Sequence, residues 1–587
     1  MGYPLSALRG LKDPFRYAPS EWGVPPLKEE ARLRWCLLFP DVYEVGMSYL
    51  GFSILYWLLK SLPGVDVERA YAPWPDAEEL LRRRGWPLLS VEGKRPLLEF
   101  DVVGVTLQHE MNYTNVLASL DLGGIPVLSS RRDERHPLVV AGGPGALHPE
   151  PMADFFDAFL LGDGEELLPE VSQLLLEHRP KGTDRGELLG MLSRLEGVYV
   201  PALGRRRVRR RVVADLDGAF YPDRLIVPSS PIVHDRVSVE VFRGCSRGCR
   251  FCLAGFTTRP VRERSAGRVV EISRRLLSST GWEELGFLSL SSCDYSSLME
   301  VLDELSPSLR EMGVRVSLPS LRVDAFSLEL ARRLDLGRKG SLTFAPEGGT
   351  ERIRDVMNKQ VTDEEIRRLI EGVFASGFER LKLYFMVGVP TETESDLEGI
   401  VEIAREASRA ARAFGGRRSV SLSLATLVPK PHTPFQWAEA LSPEESRERL
   451  LRVKRALSGL RNVQVSYHDP RLSYLEGVLC RGDREVGRAI LQAYRLGARM
   501  EAWEDRFDAG IWDRAFELAG VDPLAYARGR GLDEPLPWDF VDVGVDRAFL
   551  EREWRKALEG RTTPRCGPLS CGGCGVLVCP YRRSSLP

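Results

Sequence analysis

Two series of short apolar segments, each alternating with helix-like stretches, constrain the fold of this 587-residue chain most strongly. The first series reads WCLLFP, VDVERAYAP, DVVGVTLQ, PLVVAGGPG and DAFLLGDGEE, and its segments are bounded by Gly or Pro. Such segments are typical of a doubly wound parallel sheet, which binds ligands at the carboxyl ends of its strands. The pattern predicts a Rossmann-like α/β domain over residues 31–175, after an irregular arm at 1–30.

The second series begins at Val237 and predicts a partial barrel. Six strand candidates follow one another, with room for helices between them: VSVEVF, LGFLSLSS, VRVSLPSLRVD, SLTFAPEGG, RLKLYFMVGVP and SVSLSLATLVP. This pattern indicates an open (βα)6 barrel of the TIM type over 233–440, with functional loops after the strand ends. A connecting segment at 176–232 joins it to the first domain. A helical C-terminal region is expected at 441–563, followed by a cysteine-rich tail at 564–587.

Seven of the ten cysteines fall into two clusters, and the first cluster lies directly after the first barrel strand. Cys245, Cys249 and Cys252 are spaced x3 and x2 in RGCSRGCRFCLAG, so their thiolates can converge on one inorganic centre. Four-iron clusters and structural zinc sites both normally take four ligands. Three cysteines would leave one iron open for a substrate or cofactor, whereas zinc would need a remote cysteine to close its site.

The second cysteine cluster lies in the tail and has the spacing Cys566-x4-Cys571-x2-Cys574-x4-Cys579. Four thiols in a short, Gly-rich segment indicate a second metal site, separate from the first; free thiols are the alternative. The spacing does not distinguish zinc from an iron–sulfur cluster. The tail has too few apolar residues to order itself, so we expect a metal to staple it.

Composition and charge argue against several classes of function. The hydrophobic share of 43% is ample for packed cores, and a net charge of −2 argues against electrostatic adhesion to nucleic acid or membrane. No apolar run is long and charge-free enough to span a bilayer, so we expect no membrane partner. Clustered cysteines without a signal peptide fit metal ligands in a reducing cytosol better than disulfides, which predicts a cytoplasmic protein.

The cysteine triad, with Phe251 directly before its third member, resembles the motif of the radical S-adenosylmethionine (SAM) superfamily. Over essentially its full length the chain resembles the B12-binding-domain radical SAM proteins, through FPDVYEVGMSYLG, GGPGALHPEP, GCSRGCRFCLAG, RPVRERS, LPSLRVD, FAPEGGTERIRDVMNK and PLPWDF. The resemblance implies a [4Fe–4S] cluster whose fourth iron binds the amino and carboxylate groups of SAM. One electron then cleaves a C–S bond to give methionine and a 5′-deoxyadenosyl radical. A donor such as flavodoxin or ferredoxin is implied.

The resemblance also assigns SAM contacts to residues after the second barrel strand. Ser291, Ser292 and Asp294 stand where the superfamily grips the SAM amino group. The chain departs here from the commoner Gly-Gly-Glu, which weakens the assignment of any single residue.

Further SAM contacts are implied after the third, fourth and fifth strands. Ser320 and Arg322 could meet the SAM carboxylate, because the planar fork of Arg suits that group. An ion pair between Arg322 and Asp324 is the alternative for this side chain. Glu347 can accept hydrogen bonds from the ribose hydroxyls, and Val387 would lie beside the adenine.

The loop after the first strand poses a question about cobalamin. Cobalamin-binding domains of this fold commonly carry D-x-H-x-x-G here, with the His ligating cobalt. This chain has Asp41 and Gly46, but Tyr43 replaces the His, and a neutral phenol is a poor cobalt ligand. Cobalamin could bind without a protein imidazole, or the domain could be a cofactor-free scaffold. Four residues in other strand-end loops could hold a corrin tail: Thr106, Gln108, Gly142 and Gly143.

Three functions from different classes remain open at this point. The first is a radical SAM enzyme that methylates or otherwise functionalises an unactivated position on RNA or protein, with or without cobalamin. The second is a radical SAM enzyme that acts on a small metabolite, and the third is a non-enzymatic iron–sulfur sensor. The basic run at 205–211 and the Arg-rich loop at 259–264 slightly favour a macromolecular substrate, and solvated surface segments are the alternative for both. The cysteine triad together with the SAM-contact positions argues against the sensor.

Overall fold

The computed structural model describes residues 2–318, 341–567, 570–577 and 579. Its N-terminal part is a six-stranded sheet with the order β2-β1-β3-β4-β5-β6, in which only β6 runs antiparallel. The strands are β1 (Leu33–Phe39), β2 (Val65–Tyr71), β3 (Val102–Thr106), β4 (Leu138–Gly142), β5 (Ala158–Leu160) and β6 (Val198–Tyr199). The longer helices of this part are α1 (Leu50–Ser61), α2 (Pro75–Arg84), α3 (Tyr113–Leu122), α4 (Gly164–His178) and α5 (Arg185–Leu192), and short helices lie at Leu5–Leu8 and Tyr43–Met47.

The central strands of this sheet are buried on both faces, as expected of a parallel sheet covered by helices. Along β1, Cys36 and Leu38 enter one hydrophobic core, whereas Trp35 and Leu37 enter the core on the opposite face. The alternation follows from the two-residue period of a strand. The continuous apolar run WCLLFP is therefore explained by a strand that is buried on both faces of the sheet.

The second part of the chain holds two parallel sheets. The first has the order β7-β8-β9, formed by β7 (Val237–Glu240), β8 (Glu284–Leu288) and β9 (Arg315–Ser317). The second has the order β10-β11-β12-β13, formed by β10 (Ser341–Glu347), β11 (Arg380–Val387), β12 (Ser419–Thr426) and β13 (Val463–Tyr467). The helices are α6 (Leu253–Thr257), α7 (Ala266–Thr280), α8 (Leu298–Met312), α9 (Glu351–Val356), α10 (Asp363–Ala375) and α11 (Glu394–Ala413).

All six predicted barrel strands are present, and β13 adds a seventh in a region expected to be helical. It pairs in parallel with β12 through the register Val420↔Val463 to Leu424↔Tyr467. The rest of that region consists of helices joined by loops, apart from a two-residue strand at Val541–Asp542. The helices are α12 (Pro443–Leu457), α13 (Pro470–Cys480), α14 (Arg484–Leu496), α15 (Ala509–Ala519), α16 (Leu524–Ala527) and α17 (Arg547–Leu558). The fold class, a Rossmann-like domain with a partial radical-SAM-type barrel and a helical C-terminal region, is confirmed.

The C-terminal helices tie the two α/β parts together. Val486 and Ile490 of α14 lie in the same hydrophobic core as Phe155 and Val103 of the N-terminal part. Among the described residues, no helix has the length and apolar character needed to cross a membrane.

Candidate functional site

The loop of residues 243–258, here called the cysteine loop, follows β7 and carries the cysteine triad. Cys245, Cys249 and Cys252 are all partly exposed. Cys252 caps α6, and its Sγ accepts a hydrogen bond from the Gly255 N–H at 3.3 Å. Burial, together with the neighbouring Cys249, raises the pKa of Cys245, and it raises the pKa of Cys252 to about 12. The Cys245 and Cys252 thiols therefore stay protonated at neutral pH unless a strong positive centre such as a metal binds them.

The path of the cysteine loop is fixed by glycines and by a buried arginine. Gly244 has φ +98°, and a Cβ there would collide with the Pro260 carbonyl oxygen. Only glycine satisfies both conditions at this turn. Arg250 is fully buried, and its guanidinium contacts Glu553 Oε2 of α17 at 3.1 Å. The loop is thus anchored from the C-terminal region.

The residues predicted after the second barrel strand lie beside the cysteine loop. Asp294 accepts hydrogen bonds from Ser291 Oγ at 2.7 Å and from Arg247 Nε at 2.9 Å. Arg247 stands between the first two cysteines of the triad, so Asp294 is coupled directly to the loop. Ser292 is buried and donates from Oγ to the Phe287 carbonyl at 3.3 Å.

The other residues predicted to contact SAM differ in burial and in their partners. Glu347, the last residue of β10, has φ +71°, and its Oε1 lies 3.2 Å from Lys359 Nζ. Val387 ends β11 and is fully buried, and Phe251 packs against the small core of α9. Ser320 and Arg322 lie outside the described residues.

A cavity of about 630 Å³ lies between the N-terminal sheet and the first barrel strands. Its walls are mostly apolar and include residues of β1, α1 and α4, among them Leu37, Leu55 and Leu167. All four strand-end residues predicted to hold a corrin tail line it: Thr106, Gln108, Gly142 and Gly143. The cysteine loop lines the same cavity through Gly244, Ala254 and Thr258. The fold therefore brings two predicted cofactor loops to one space.

The motif positions of the D-x-Y-x-x-G loop, Asp41, Tyr43 and Gly46, do not line this large cavity. Tyr43 is buried, and its hydroxyl donates to Glu21 Oε1 at 2.6 Å. Burial and this carboxylate raise the pKa of Tyr43, so its phenol stays protonated. Asp41 accepts a hydrogen bond from Trp503 Nε1 at 3.1 Å, while Gly46 lines a smaller adjoining cavity.

Sequence reasoning missed an ion-pair network in the wall of the large cavity. Arg243 of the cysteine loop contacts Asp163 at 3.0 Å, Glu165 at 2.7 Å and Glu240 at 3.0 Å. Burial opposes ionisation of Asp163, but Arg243 and Arg262 lower its pKa. The network joins the turn before α4 to the start of the barrel. The acidic turn GDGEE after the fifth apolar run was the available signal.

The two basic stretches that suggested a macromolecular substrate differ in exposure, although both contact other groups of the protein. Carboxylates pair with the 205–211 run through Arg205–Glu150, Arg207–Asp542, Arg209–Asp542 and Arg211–Glu170. The arginines of the 259–264 loop are buried: Arg259, Arg262 and Arg264. Arg205, Arg207 and Arg209 of the 205–211 run remain half or more exposed beside their carboxylates, whereas the 259–264 arginines have no open surface.

A second cluster of titratable groups lies between the N-terminal and C-terminal parts. Suitable ligand atoms of His109, Glu110 and Glu476 lie within 4.8 Å of one another. Lys430 Nζ already contacts both carboxylates, at 3.0 Å from Glu110 and 2.7 Å from Glu476. We interpret the cluster as a partly buried structural ion-pair network. Lys430 offsets one carboxylate charge, and although burial opposes it, the carboxylates raise the pKa of His109, whose imidazolium can offset the other.

Comparisons with known proteins agree with the fold and the motif. Residues 239–404 match the family model of the radical SAM superfamily, and residues 51–201 match that of the N-terminal region of radical SAM proteins. The first match contains the whole cysteine loop. The protein is a radical SAM enzyme, and this family implies a [4Fe–4S] cluster and SAM as cofactors. Within that class it resembles the B12-binding radical SAM proteins.

Individual relatives differ in how much of the chain they match. An uncharacterized protein of Methanocaldococcus jannaschii is 28% identical over 500 residues, which is 81% of this chain and 97% of the relative. A tRNA-2-methylthio-N6-dimethylallyladenosine synthase of Thermotoga petrophila is 26% identical over 179 residues, 29% of this chain and 40% of that enzyme. The radical SAM methyltransferase TsrM of Kitasatospora setae, solved with cobalamin and a [4Fe–4S] cluster, shares 15% identity, with 84% of this chain and all of TsrM covered. Its TM-score of 0.51 shows a similar fold.

Proposed function

We propose that the protein is a cobalamin-dependent radical SAM enzyme that methylates, or otherwise functionalises, an unactivated carbon. Cys245, Cys249 and Cys252 hold the [4Fe–4S] cluster in this proposal, and SAM takes the open iron. Bound together, the cluster and cobalamin supply electron transfer and alkyl transfer, which protein side chains cannot perform. The observation that carries the proposal is the large cavity between the N-terminal sheet and the cysteine loop.

The shape and lining of the cavity suit cobalamin. Its apolar end, between α1 and α4, offers room for the aromatic base of the nucleotide tail, whereas its other end borders the cysteine loop. The nearest atom to a Cβ built on Gly142 would be the Leu160 carbonyl oxygen at 3.8 Å, so the backbone is open to close approach there. Thr106 and Gln108 add polar groups at the strand ends. Sites of this kind are typically apolar with a few placed polar groups.

The position of Tyr43 supports binding without a protein imidazole. Its hydroxyl is already engaged by Glu21, and the side chain lies in the core below the sheet edge. Asp41 is likewise occupied, by Trp503 and by its own loop. We therefore propose that neither residue contacts the cofactor and that no histidine of this loop ligates cobalt.

The SAM contacts remain part of the proposal. Ser291, Ser292 and Asp294 would hold the amino end, supported by the coupling of Asp294 to Arg247 in the cysteine loop. Glu347 would accept from the ribose, with Val387 beside the adenine. Ser320 and Arg322 are proposed for the carboxylate on the resemblance alone.

RNA is the substrate class that we propose to test first. The support is the partial match to a tRNA-modifying enzyme, which covers 29% of this chain. The 259–264 loop gives no support, because its arginines are buried against backbone carbonyls. The 205–211 run gives weak support, because Arg205, Arg207 and Arg209 are exposed but carboxylates offset part of their charge. A protein or a small metabolite is the alternative outcome.

Anaerobic reconstitution tests the enzyme and the cofactor separately. The protein is loaded with iron and sulfide, given SAM and a strong reductant, and assayed for 5′-deoxyadenosine by mass spectrometry. In parallel, hydroxocobalamin is added and the retained cofactor is measured after gel filtration. We expect both 5′-deoxyadenosine and tightly retained cobalamin. Failure to retain cobalamin would favour the scaffold alternative, and absence of 5′-deoxyadenosine would contradict SAM cleavage itself.

A further inference from the structure

We propose that Cys566, Cys571, Cys574 and Cys579 form a second, four-thiolate metal centre that docks directly on the cysteine loop. The proposed function requires only the three cysteines of that loop, so this centre goes beyond it. The four residues are all among those described, and none forms a disulfide.

The segment that leads into the tail lies across the cysteine loop. The Cys566 N–H donates to the Ser246 carbonyl at 2.8 Å, directly beside Cys245. Before the tail, the Thr563 N–H donates to Asn358 Oδ1 at 2.8 Å. The same Asn358 donates from Nδ2 to the Gly248 carbonyl of the cysteine loop at 3.1 Å. One amide side chain thus holds the tail and the triad loop together.

The other side of the tail rests on α17 and its preceding turn. The Cys574 carbonyl accepts from the Asp546 N–H at 2.9 Å, and Cys574 and Val576 are buried in the same core as Phe549. Cys579 packs against this core as well. The tail therefore has a defined seat between the barrel mouth and the C-terminal helices.

Within this seat the sulfur of Cys566 faces the turn that carries the next two cysteines. Cys566 Sγ lies 3.8 Å from the position that a Cβ would take on Gly572, so this sulfur faces the turn between Cys571 and Cys574. Cys571 Sγ accepts from the Gly573 N–H at 3.5 Å, and Gly573 has φ +65°. The left-handed backbone of Gly573 lets the chain turn sharply between Cys571 and Cys574. A turn of this kind can present both sulfurs to one metal centre.

Four thiolates can complete the coordination of zinc or of an iron–sulfur cluster. Such a centre has no open position for SAM, so its role is structural or electron-carrying. Metal binding would also supply order that the few apolar residues of the tail cannot supply. Zinc and an iron–sulfur cluster both bind to thiolates, and the experiment below distinguishes them.

Metal and sulfide analysis of matched variants tests the proposal. The samples are the full chain, a truncation that ends at residue 563, the Cys566/Cys571/Cys574/Cys579→Ser variant and the Cys245/Cys249/Cys252→Ala variant. Cys480→Ala is the control, because Cys480 is buried outside both motifs. Each protein is purified anaerobically and reconstituted with iron and sulfide, and in a second series with zinc alone.

We expect the truncation and the serine variant to lose the same metal and to keep about four iron in the barrel. The triple alanine variant should keep the tail metal although it cannot cleave SAM. Loss of zinc alone identifies a structural clamp, and loss of iron with sulfide identifies a second cluster. Unchanged metal in the truncation would overturn the proposal, and so would loss of all iron on serine replacement, since the centres would then not be separate. Circular dichroism of the serine variant shows whether the rest of the chain remains folded.

Discussion

Two loops of this protein follow the first strand of a parallel sheet, and they differ in what their side chains leave available. The polar side chains of the D-x-Y-x-x-G loop after β1 already have hydrogen-bond partners elsewhere in the protein: Tyr43 donates to Glu21, and Asp41 accepts from Trp503. The cysteine loop after β7 instead keeps three partly exposed thiols and lines the large cavity. Equivalent places in two sheets therefore have unequal capacity to bind a cofactor.

The difference originates outside both loops. Glu21 comes from the N-terminal arm and Trp503 from the C-terminal region, and both are far from the loop in sequence. The cysteine loop is anchored through Arg250 and Arg243, which bind carboxylates without engaging the thiols. In this pair of loops, the tertiary contacts leave the thiols open to a ligand and turn Tyr43 and Asp41 away from one.

The largest expected effect comes from removing the thiols of the cysteine loop. Replacing Cys245, Cys249 and Cys252 with Ala should abolish 5′-deoxyadenosine formation, because no cluster then remains to bind and cleave SAM. Mass spectrometry of anaerobic single-turnover reactions measures this. Cys480→Ala should retain the activity. Formation of 5′-deoxyadenosine by the triple variant would show that the loop is not the cluster site.

The next largest effect concerns the ion pairs that hold the cysteine loop against the N-terminal sheet. Arg243→Met leaves Asp163, Glu165 and Glu240 without their shared cation, and breaking such a buried pair destabilises a protein by about 3 kcal/mol. Urea unfolding followed by tryptophan fluorescence measures the change. Arg405→Met, which removes an exposed pair with Glu402, should cost only about 0.5 kcal/mol. Equal effects would mean that the network carries no special stability.

A smaller effect is expected from filling the apolar end of the cavity. Leu55→Trp adds a bulky ring where we place the cobalamin tail, so affinity for hydroxocobalamin should fall by about tenfold, which corresponds to about 1.4 kcal/mol. Equilibrium dialysis gives the affinity. Leu496→Trp adds the same ring at a position that is 40% exposed on α14, and it should leave binding unchanged. An unaffected Leu55→Trp variant would place the cofactor elsewhere.

The smallest effect is expected in the D-x-Y-x-x-G loop. Tyr43→Phe removes one hydrogen bond to Glu21 and should lower stability by about 1 kcal/mol, without changing cobalamin affinity. Electron paramagnetic resonance of the Co(II) form should show no nitrogen splitting from a protein imidazole. His234 also lines the cavity. It lies before β7, and the cysteine loop lies after β7, so the length of this four-residue strand, about 13 Å, separates His234 from the loop. Nitrogen splitting that disappears in His234→Ala would contradict this prediction.

Much of the fold could be predicted because strands and helices leave periodic signals in the local sequence. The six barrel strands were expected where β7 to β12 lie, and the apolar runs WCLLFP and DVVGVTLQ correspond to β1 and β3. The strand β13 was not predicted, since VQVSY is short, half-polar and follows a long helix. Its burial pattern alternates between intermediate and exposed residues, which is typical of the edge of a sheet.

The sequence by itself determined the fold class and the cysteine loop, because strand periodicity and ligand spacing are local properties of the chain. Only the tertiary structure decided which predicted residues share a cavity: Thr106 and Gly142 face the cysteine loop, whereas Tyr43 turns to Glu21. It also decided that the arginines at 205–211 bind carboxylates from distant parts of the chain. Side-chain availability depends on contacts between residues that lie from 22 to 333 positions apart, and no local pattern encodes those contacts.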